Sequence, residues 1–262
     1  MKRKMYTLSH RIDLLEKVDN GGRQFTADEH AYVMEREFGK TVFGAKENLL
    51  RYYLWNNPLK LSALGFLINF VGRSKCRNIL SLGAGECVLE YLLKLSLPEE
   101  SQVVACDFDS FFMKKAKEYF PEIISCQFNF FEDEIESLQI ELNINFDLVV
   151  FFGSTYVMDD ASFSRLFKDL KKIGVPRIID FYAGYMDMKS VCLQPLRMVP
   201  IVRRLLRRPL GGGGNYRGKF HGYSRSRSEL RNLYASAGWK ILKEMSISVY
   251  KYASILEPSS KK

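Results

Sequence analysis

The spacing of apolar residues changes period along the chain. From Leu8 to about Gly72 it is helical: Leu49, Leu50, Tyr53 and Leu54 recur on one face, and Pro58 separates them from a second apolar segment, Leu59 to Val71. This predicts a helical N-terminal cap over residues 1–74. From Arg77 onward, short apolar runs alternate with amphipathic ones. Strands are predicted at Asn78–Leu82, Gln102–Cys106, Ile123–Phe128, Phe146–Phe152 and Arg177–Phe181. Helices are predicted from the face Val88, Tyr91, Leu92 and Leu95, from Ser110–Tyr119, and from the stripe Phe163, Leu166, Phe167, Leu170 and Ile173. A long interruption, 183–224, precedes a helix over Arg225–Ala237 with Gly238 at its C-terminus, and two strand-like runs, Lys240–Ser246 and Ser248–Leu256, end the pattern. Such alternation builds an α/β domain over 75–262, with a mostly parallel sheet covered on both faces. No internal repeat is present.

The first predicted strand leads into Gly83-Ala84-Gly85-Glu86, a glycine turn at the position where α/β sheets bind nucleotide-like ligands. As a dinucleotide fingerprint it fails, because Val88 stands at the last glycine and Glu86 would repel a pyrophosphate at the helix N-terminus. A P-loop is excluded, since no Gly-Lys-Ser/Thr follows. What remains is an adenosine ligand without phosphates. The second strand ends in Asp107, 22 positions after Gly85, where a carboxylate accepts two bonds from a ribose diol. In isolation the same acid is equally a helix N-cap or a solvated loop residue; its pairing with the glycine turn favours the ribose.

Asn78-Ile-Leu-Ser-Leu-Gly-Ala-Gly-Glu-Cys, Val103-Val-Ala-Cys-Asp-Phe-Asp, Gln127-Phe-Asn-Phe-Phe and Phe146-Asp-Leu-Val-Val-Phe-Phe-Gly-Ser resemble, in order and spacing, the motifs of class I S-adenosylmethionine-dependent methyltransferases. The resemblance covers roughly 76–182, together with Glu229-Leu-Arg-Asn-Leu-Tyr-Ala-Ser-Ala-Gly-Trp. It implies a Rossmann-like sheet of seven strands, an insertion after the fifth, and S-adenosylmethionine as cofactor, with S-adenosylhomocysteine as product. Carried over by position, Gly83, Ala84 and Gly85 pass beneath the methionine part, Asp107 binds the ribose, Phe108 lies against the adenine, and Asn129 and Phe130 flank the adenine edge. Gly153 and Ser154 face the transferred methyl. Two departures stand out: Ser81 occupies the place of an acid, which weakens the hold on the cofactor's amino group unless Glu86 compensates, and Cys87 replaces a frequent third glycine.

Composition adds a partner question. Of 262 residues 47% are hydrophobic, which excludes a disordered chain, and Lys plus Arg exceed Asp plus Glu by 39 to 30, a net charge of +9. Between Arg197 and Arg231, ten basic residues face the single acid Glu229, so a charge equal to the chain's whole excess is local. Residues 196–210 alternate apolar and arginine pairs at near-helical spacing, and Gly211–Gly214 supplies a hinge. The segment suits a lid clamping an anionic small substrate, a membrane-surface contact, a nucleic-acid contact, or a solvated helix face. Nucleic acid ranks below a small molecule, since no RNA-binding signature accompanies the arginines. Five cysteines, odd in number and without a CxxC pair, point to a reducing compartment, expected to be the cytoplasm. The apolar run Leu61–Gly72 is too short to span a bilayer, and the basic start lacks the apolar core of a secretion signal.

Methyl transfer from a sulfonium is an in-line displacement, and a hydroxyl acceptor must lose its proton. Of three histidines, His10 and His30 fall in the N-terminal region, while His221 follows the insertion on the side of substrate entry; it is the candidate base. Tyr156, just after the Gly153-Ser turn, is the second candidate, and no metal set is expected. The expected activity is methyl transfer to oxygen or nitrogen of a small polar or anionic metabolite. Transfer of the cofactor's aminocarboxypropyl arm, and a cofactor-binding or membrane-recruited scaffold without catalysis, are the alternatives.

Overall fold

In the computed structural model, five largely apolar strands lie side by side and parallel. They are β2 (Asn78–Leu82), β3 (Gln102–Asp107), β4 (Ile124–Gln127), β5 (Leu148–Phe152) and β6 (Ile178–Tyr182). The structure describes residues 3–7, 35, 40–58, 60–185, 219–247 and 250–259. Two long strands, β8 (Trp239–Ile247) and β9 (Tyr250–Pro258), complete the sheet in the order β4-β3-β2-β5-β6-β9-β8, with β9 antiparallel to both neighbours. The order reverses between β2 and β5, so the crevice at the carboxyl ends of β2, β3 and β5 is the natural ligand position.

Alternation along the strands divides the core in two. Ile79, Val103, Ala105, Val150, Phe152, Ile179 and Phe181 face one layer. There they meet α1 (Lys46–Asn56), α2 (Lys60–Ser74), α3 (Val88–Leu95) and α4 (Ser110–Tyr119) through Leu49, Leu67, Leu89 and Phe112. Leu80, Leu82, Val104, Val149, Phe151 and Ile178 face the other layer. That layer holds α5 (Ile135–Leu142), α6 (Asp160–Lys172) and α7 (Arg227–Ser236), where Phe167 stacks on Phe163 at 4.2 Å and Trp239 donates from Nε1 to the Phe167 carbonyl at 2.7 Å. The segment before α1 is tied to α4 by Tyr119, whose hydroxyl donates to the Phe43 carbonyl at 2.7 Å.

Three readings need correction. Arg3–Thr7 is a strand, β1, within the stretch expected to be helical; it pairs antiparallel with β7 (Lys219–Ser224) in a ribbon outside the main sheet. The interruption therefore ends in ordered strand before residue 224. The strand expected from Phe146 starts at Leu148; just before it, Asp147 is tied to the start of β2, its carboxylate accepting from the backbone N–H of Arg77 (2.8 Å) and Asn78 (2.9 Å) and its own N–H donating to the Asn78 carbonyl at 2.9 Å. Helix α5 was not foreseen. Residues 196–210, the tetraglycine, His10, His30 and Cys192 lie outside the described residues; the cysteines at 76, 87, 106 and 126 are free thiols. No helix among the described residues is long and apolar enough to cross a membrane.

Candidate active site

The turn after β2 is fixed by its own backbone. Gly83 and Ala84 donate their N–H groups to the Cys106 carbonyl (2.8 and 2.9 Å), and Gly85 donates to Asp107 Oδ2 at 2.8 Å. A phosphate would therefore find no free donor among these three residues. Gly83 has φ +74°, and a Cβ there would collide with Ser154 Cβ and come 2.8 Å from its Oγ. The turns after β2 and β5 thus touch directly, and Ser154 Oγ seals the contact by donating to the Leu82 carbonyl at 2.6 Å.

Asp107 is buried and bridges two turns: Oδ1 accepts from the Asp109 N–H at 3.0 Å while Oδ2 takes Gly85. The capping role belongs instead to Asp109, whose Oδ1 accepts from Phe111 at the start of α4. Phe108, half-buried, presents its carbonyl to Gln127 Nε2. Asn129 turns its side-chain oxygen onto the Phe131 N–H (3.1 Å), a local bond that competes with any ligand contact. Phe130 is buried against the glycine turn, its Cε1 3.6 Å from where a Gly83 Cβ would lie.

At the end of β5, Gly153 also has φ +74°, and a Cβ there would come 3.0 Å from the Tyr250 ring and 3.2 Å from Ala183 Cβ. Tyr156 follows on a 3-10 turn, Thr155–Val157. Burial pushes its phenol up to about 12, so at neutral pH it keeps its proton and serves as a hydrogen-bonding group. Of His221 the backbone is described: it lies on β7 beside the β1 irregularity between Met5 and Tyr6. That strand is anchored to the site by Arg225, buried just beyond it. Arg225 Nη2 donates to the Met158 carbonyl (2.7 Å) and Asp160 Oδ1 (2.9 Å), and Nη1 donates to the Tyr182 hydroxyl (2.9 Å). Tyr182 in turn donates to the Tyr223 carbonyl at 2.8 Å. The two ends of the insertion are thereby pinned next to the β5 turn, Tyr185 bridging to Arg225.

Three side chains that the sequence did not single out complete the arrangement. Glu90, on the first turn of α3, accepts a 2.6 Å bond from Ser81 Oγ; it is this carboxyl, and not that of Glu86, that reaches the serine. Burial raises Glu90 to about 7 against the lowering effect of the Ser81 bond. Tyr250 from β9 and Tyr53 from α1 are both buried, and desolvation first and the Glu90 charge among further causes hold both phenols well above their usual range. Among the described residues no three His, Cys, Asp or Glu side chains gather as a metal site.

No protein-family model matches the sequence, and no curated protein matches it either. Solved structures do share its architecture. Human N-acetylserotonin methyltransferase, in complex with S-adenosylmethionine, superposes with TM-score 0.54 at 16% identity, covering 96% of this chain and 66% of its own. An O-methyltransferase family protein from Burkholderia thailandensis gives TM-score 0.56 at 12% identity, over 96% of this chain and 69% of its own. From the same organism, 1,6-didemethyltoxoflavin-N1-methyltransferase, with bound 1,6-didemethyltoxoflavin and S-adenosylhomocysteine, gives 0.51 at 12%, over 91% and 92%. The chain has the fold of the class I S-adenosylmethionine-dependent methyltransferases, and it spans slightly less than two thirds of the human enzyme's length.

Proposed function

We propose that this chain is an S-adenosylmethionine-dependent methyltransferase acting on an oxygen or nitrogen of a small polar or anionic metabolite. The observation that carries the reading is the 2.8 Å bond from Gly85 N–H to Asp107, which locks the glycine turn and a buried acid together at the switch point of the sheet. The residues fit the cofactor's chemistry in kind and in place: a buried carboxylate, Asp107, ends the strand next to the glycine turn for the ribose, the aromatic Phe108 follows it for the adenine, and the glycine turn runs beneath the methionine part. When bound, the cofactor supplies an electrophilic methyl group on a sulfonium. The chain's own task is alignment, since displacement requires the acceptor in line with the breaking carbon–sulfur bond.

In this reading the acceptor enters over the Gly153–Ser154 turn, walled by Tyr156 and Tyr250. Strand β7 carries His221 to that side, where it removes a proton from a hydroxyl acceptor; a neutral amine needs no such base. Neighbours that share the fold act on chemically different acceptors, so the fold is neutral on which atom is methylated. Calorimetric titration of the intact chain with S-adenosylmethionine and S-adenosylhomocysteine tests the cofactor site. Micromolar binding that Asp107→Asn reduces at least about tenfold is expected, the size of a lost charge-assisted bond. A folded protein that binds neither compound refutes the reading. Mass spectrometry of acceptors after turnover, a gain of one methyl rather than the larger arm, then distinguishes the reaction.

A further inference from the structure

The layer between the cap and the sheet contains a carboxyl group that the fold leaves half satisfied. Glu90 is 1% exposed; its Oε1 takes the bond from Ser81, while its Oε2 is fully buried and has no partner among the described residues. The Tyr250 hydroxyl, in the same layer, is likewise buried and without a partner. Ser81 lies two residues before the glycine turn and Glu90 five residues after Gly85, so the carboxyl is held beneath the turn by both of its flanks. Tyr53 from α1 is buried in the same layer and feels the Glu90 charge, and Glu86 adds a second negative charge that acts on both Tyr53 and Glu90. Against these groups Lys60 acts on Glu90 in the opposite sense. A buried carboxylate oxygen with open lone pairs beside a second acid calls for a ligand group that is positively charged and rich in N–H donors. A primary ammonium meets both demands; a hydroxyl or a phosphate meets neither.

We propose that Glu90, positioned by Ser81, receives the primary ammonium group of the cofactor's amino acid arm, with the Tyr250 hydroxyl beside it. The assignment rests on the cofactor reading above and adds a residue to it. It also explains the serine at position 81: a short side chain there leaves room for the helix to deliver the acid, and its hydroxyl fixes which oxygen faces the turn.

The test compares two adenosine thioethers on the intact chain, S-adenosylhomocysteine, which carries the ammonium, and 5′-methylthioadenosine, which lacks the whole amino acid arm. Wild type is expected to prefer the first. Glu90→Gln keeps size and the Ser81 bond but places a neutral group at the ammonium, so affinity for S-adenosylhomocysteine drops about tenfold or more, as for a lost bond to a charged group. Affinity for methylthioadenosine stays within about twofold, because only the arm is affected. Glu90→Asp, which keeps the charge but withdraws it by one methylene, loses part of the preference and serves as the second variant. Equal weakening of both ligands by Glu90→Gln, or no weakening of either, overturns the assignment while leaving the cofactor site standing. A wild-type chain that is folded and binds neither compound overturns the cofactor reading itself.

Discussion

Replacing Glu90 by glutamine is expected to remove a pH dependence of stability from the ligand-free protein. The carboxyl is fully buried, and desolvation lifts it from its ordinary 4.5 to about 7, the Ser81 hydrogen bond opposing the rise and Lys60 opposing it more weakly. A raised acid keeps its proton in the folded state after the unfolded chain has lost it. Between pH 4.5 and 7 the folded state therefore binds more protons, and stability falls as pH rises, by about 1.4 kcal/mol per pH unit. Over that window the loss amounts to about 3 kcal/mol. It is complete once the pH passes the folded value. Glutamine keeps the Ser81 bond and cannot ionise, so the variant and wild type are about equally stable at pH 4.5, and the variant leads by about 3 kcal/mol at pH 8. Urea melts of both proteins from pH 4.5 to 8 measure this, and the difference between them isolates Glu90 from every other titrating group. Among those groups, Asp180 stands at about 6 for the same reason of burial, against bonds from Tyr234 and Thr155. Parallel pH profiles for the two proteins would refute the argument that this carboxyl is buried and under-satisfied.

Other changes act on single contacts. Gly83→Ala, forced to φ +74° and into Ser154, is expected to cost about 1–3 kcal/mol in urea and to abolish S-adenosylhomocysteine binding, since both turns must move. Arg225→Met removes the donor that the Tyr182 hydroxyl, the Met158 carbonyl and Asp160 all accept from and loosens the backbone on either side of residues 186–218; about 2–3 kcal/mol is the expected loss by chemical denaturation. Tyr250→Phe removes a hydroxyl that has no partner among the described residues, so the free protein keeps its stability or gains up to about 1 kcal/mol while affinity for S-adenosylhomocysteine falls. With a hydroxyl acceptor, His221→Ala is expected to lower kcat by about 100-fold or more and to erase the rise of rate with pH, whereas Tyr156→Phe changes kcat by less than about tenfold. Retention of that rise in the His221 variant would place the base elsewhere.

The parts of the fold that the sequence announced are those whose burial is regular. Strand β2 and helix α4 begin and end where the apolar spacing places them, because strands buried on both faces are continuously apolar and amphipathic helices repeat at 3.6. Helix α5 escaped notice because only Ile135 and Leu138 are buried and Ile140 is 73% exposed, so no stripe is visible. Strand β1 carries no local signal; its partner lies beyond the insertion, and pairing across more than 200 residues is set by tertiary contact.

The site divides the same way, according to whether a residue's surroundings are local. Gly83, Gly85, Asp107 and Gly153 lie on turns whose geometry the neighbouring strands dictate, and a motif can report them. Asn129 lies on such a turn as well, yet its side-chain oxygen accepts from the Phe131 N–H, a local bond that a motif cannot reveal. Glu90 reads in sequence as one charged residue on a helix, and the usual place for such a residue is the solvated face. Only the packing of α3 against β2 turns it inward, and only the short side chain at 81 leaves it a hydrogen bond there. Tyr53 and Tyr250 come from elements nearly 200 residues apart and are buried in the same layer. A departure from a motif, such as Ser81, is thus informative in a particular way: when a buried position loses its acid, the place to look for the missing charge is the neighbouring element that the smaller side chain has allowed to approach.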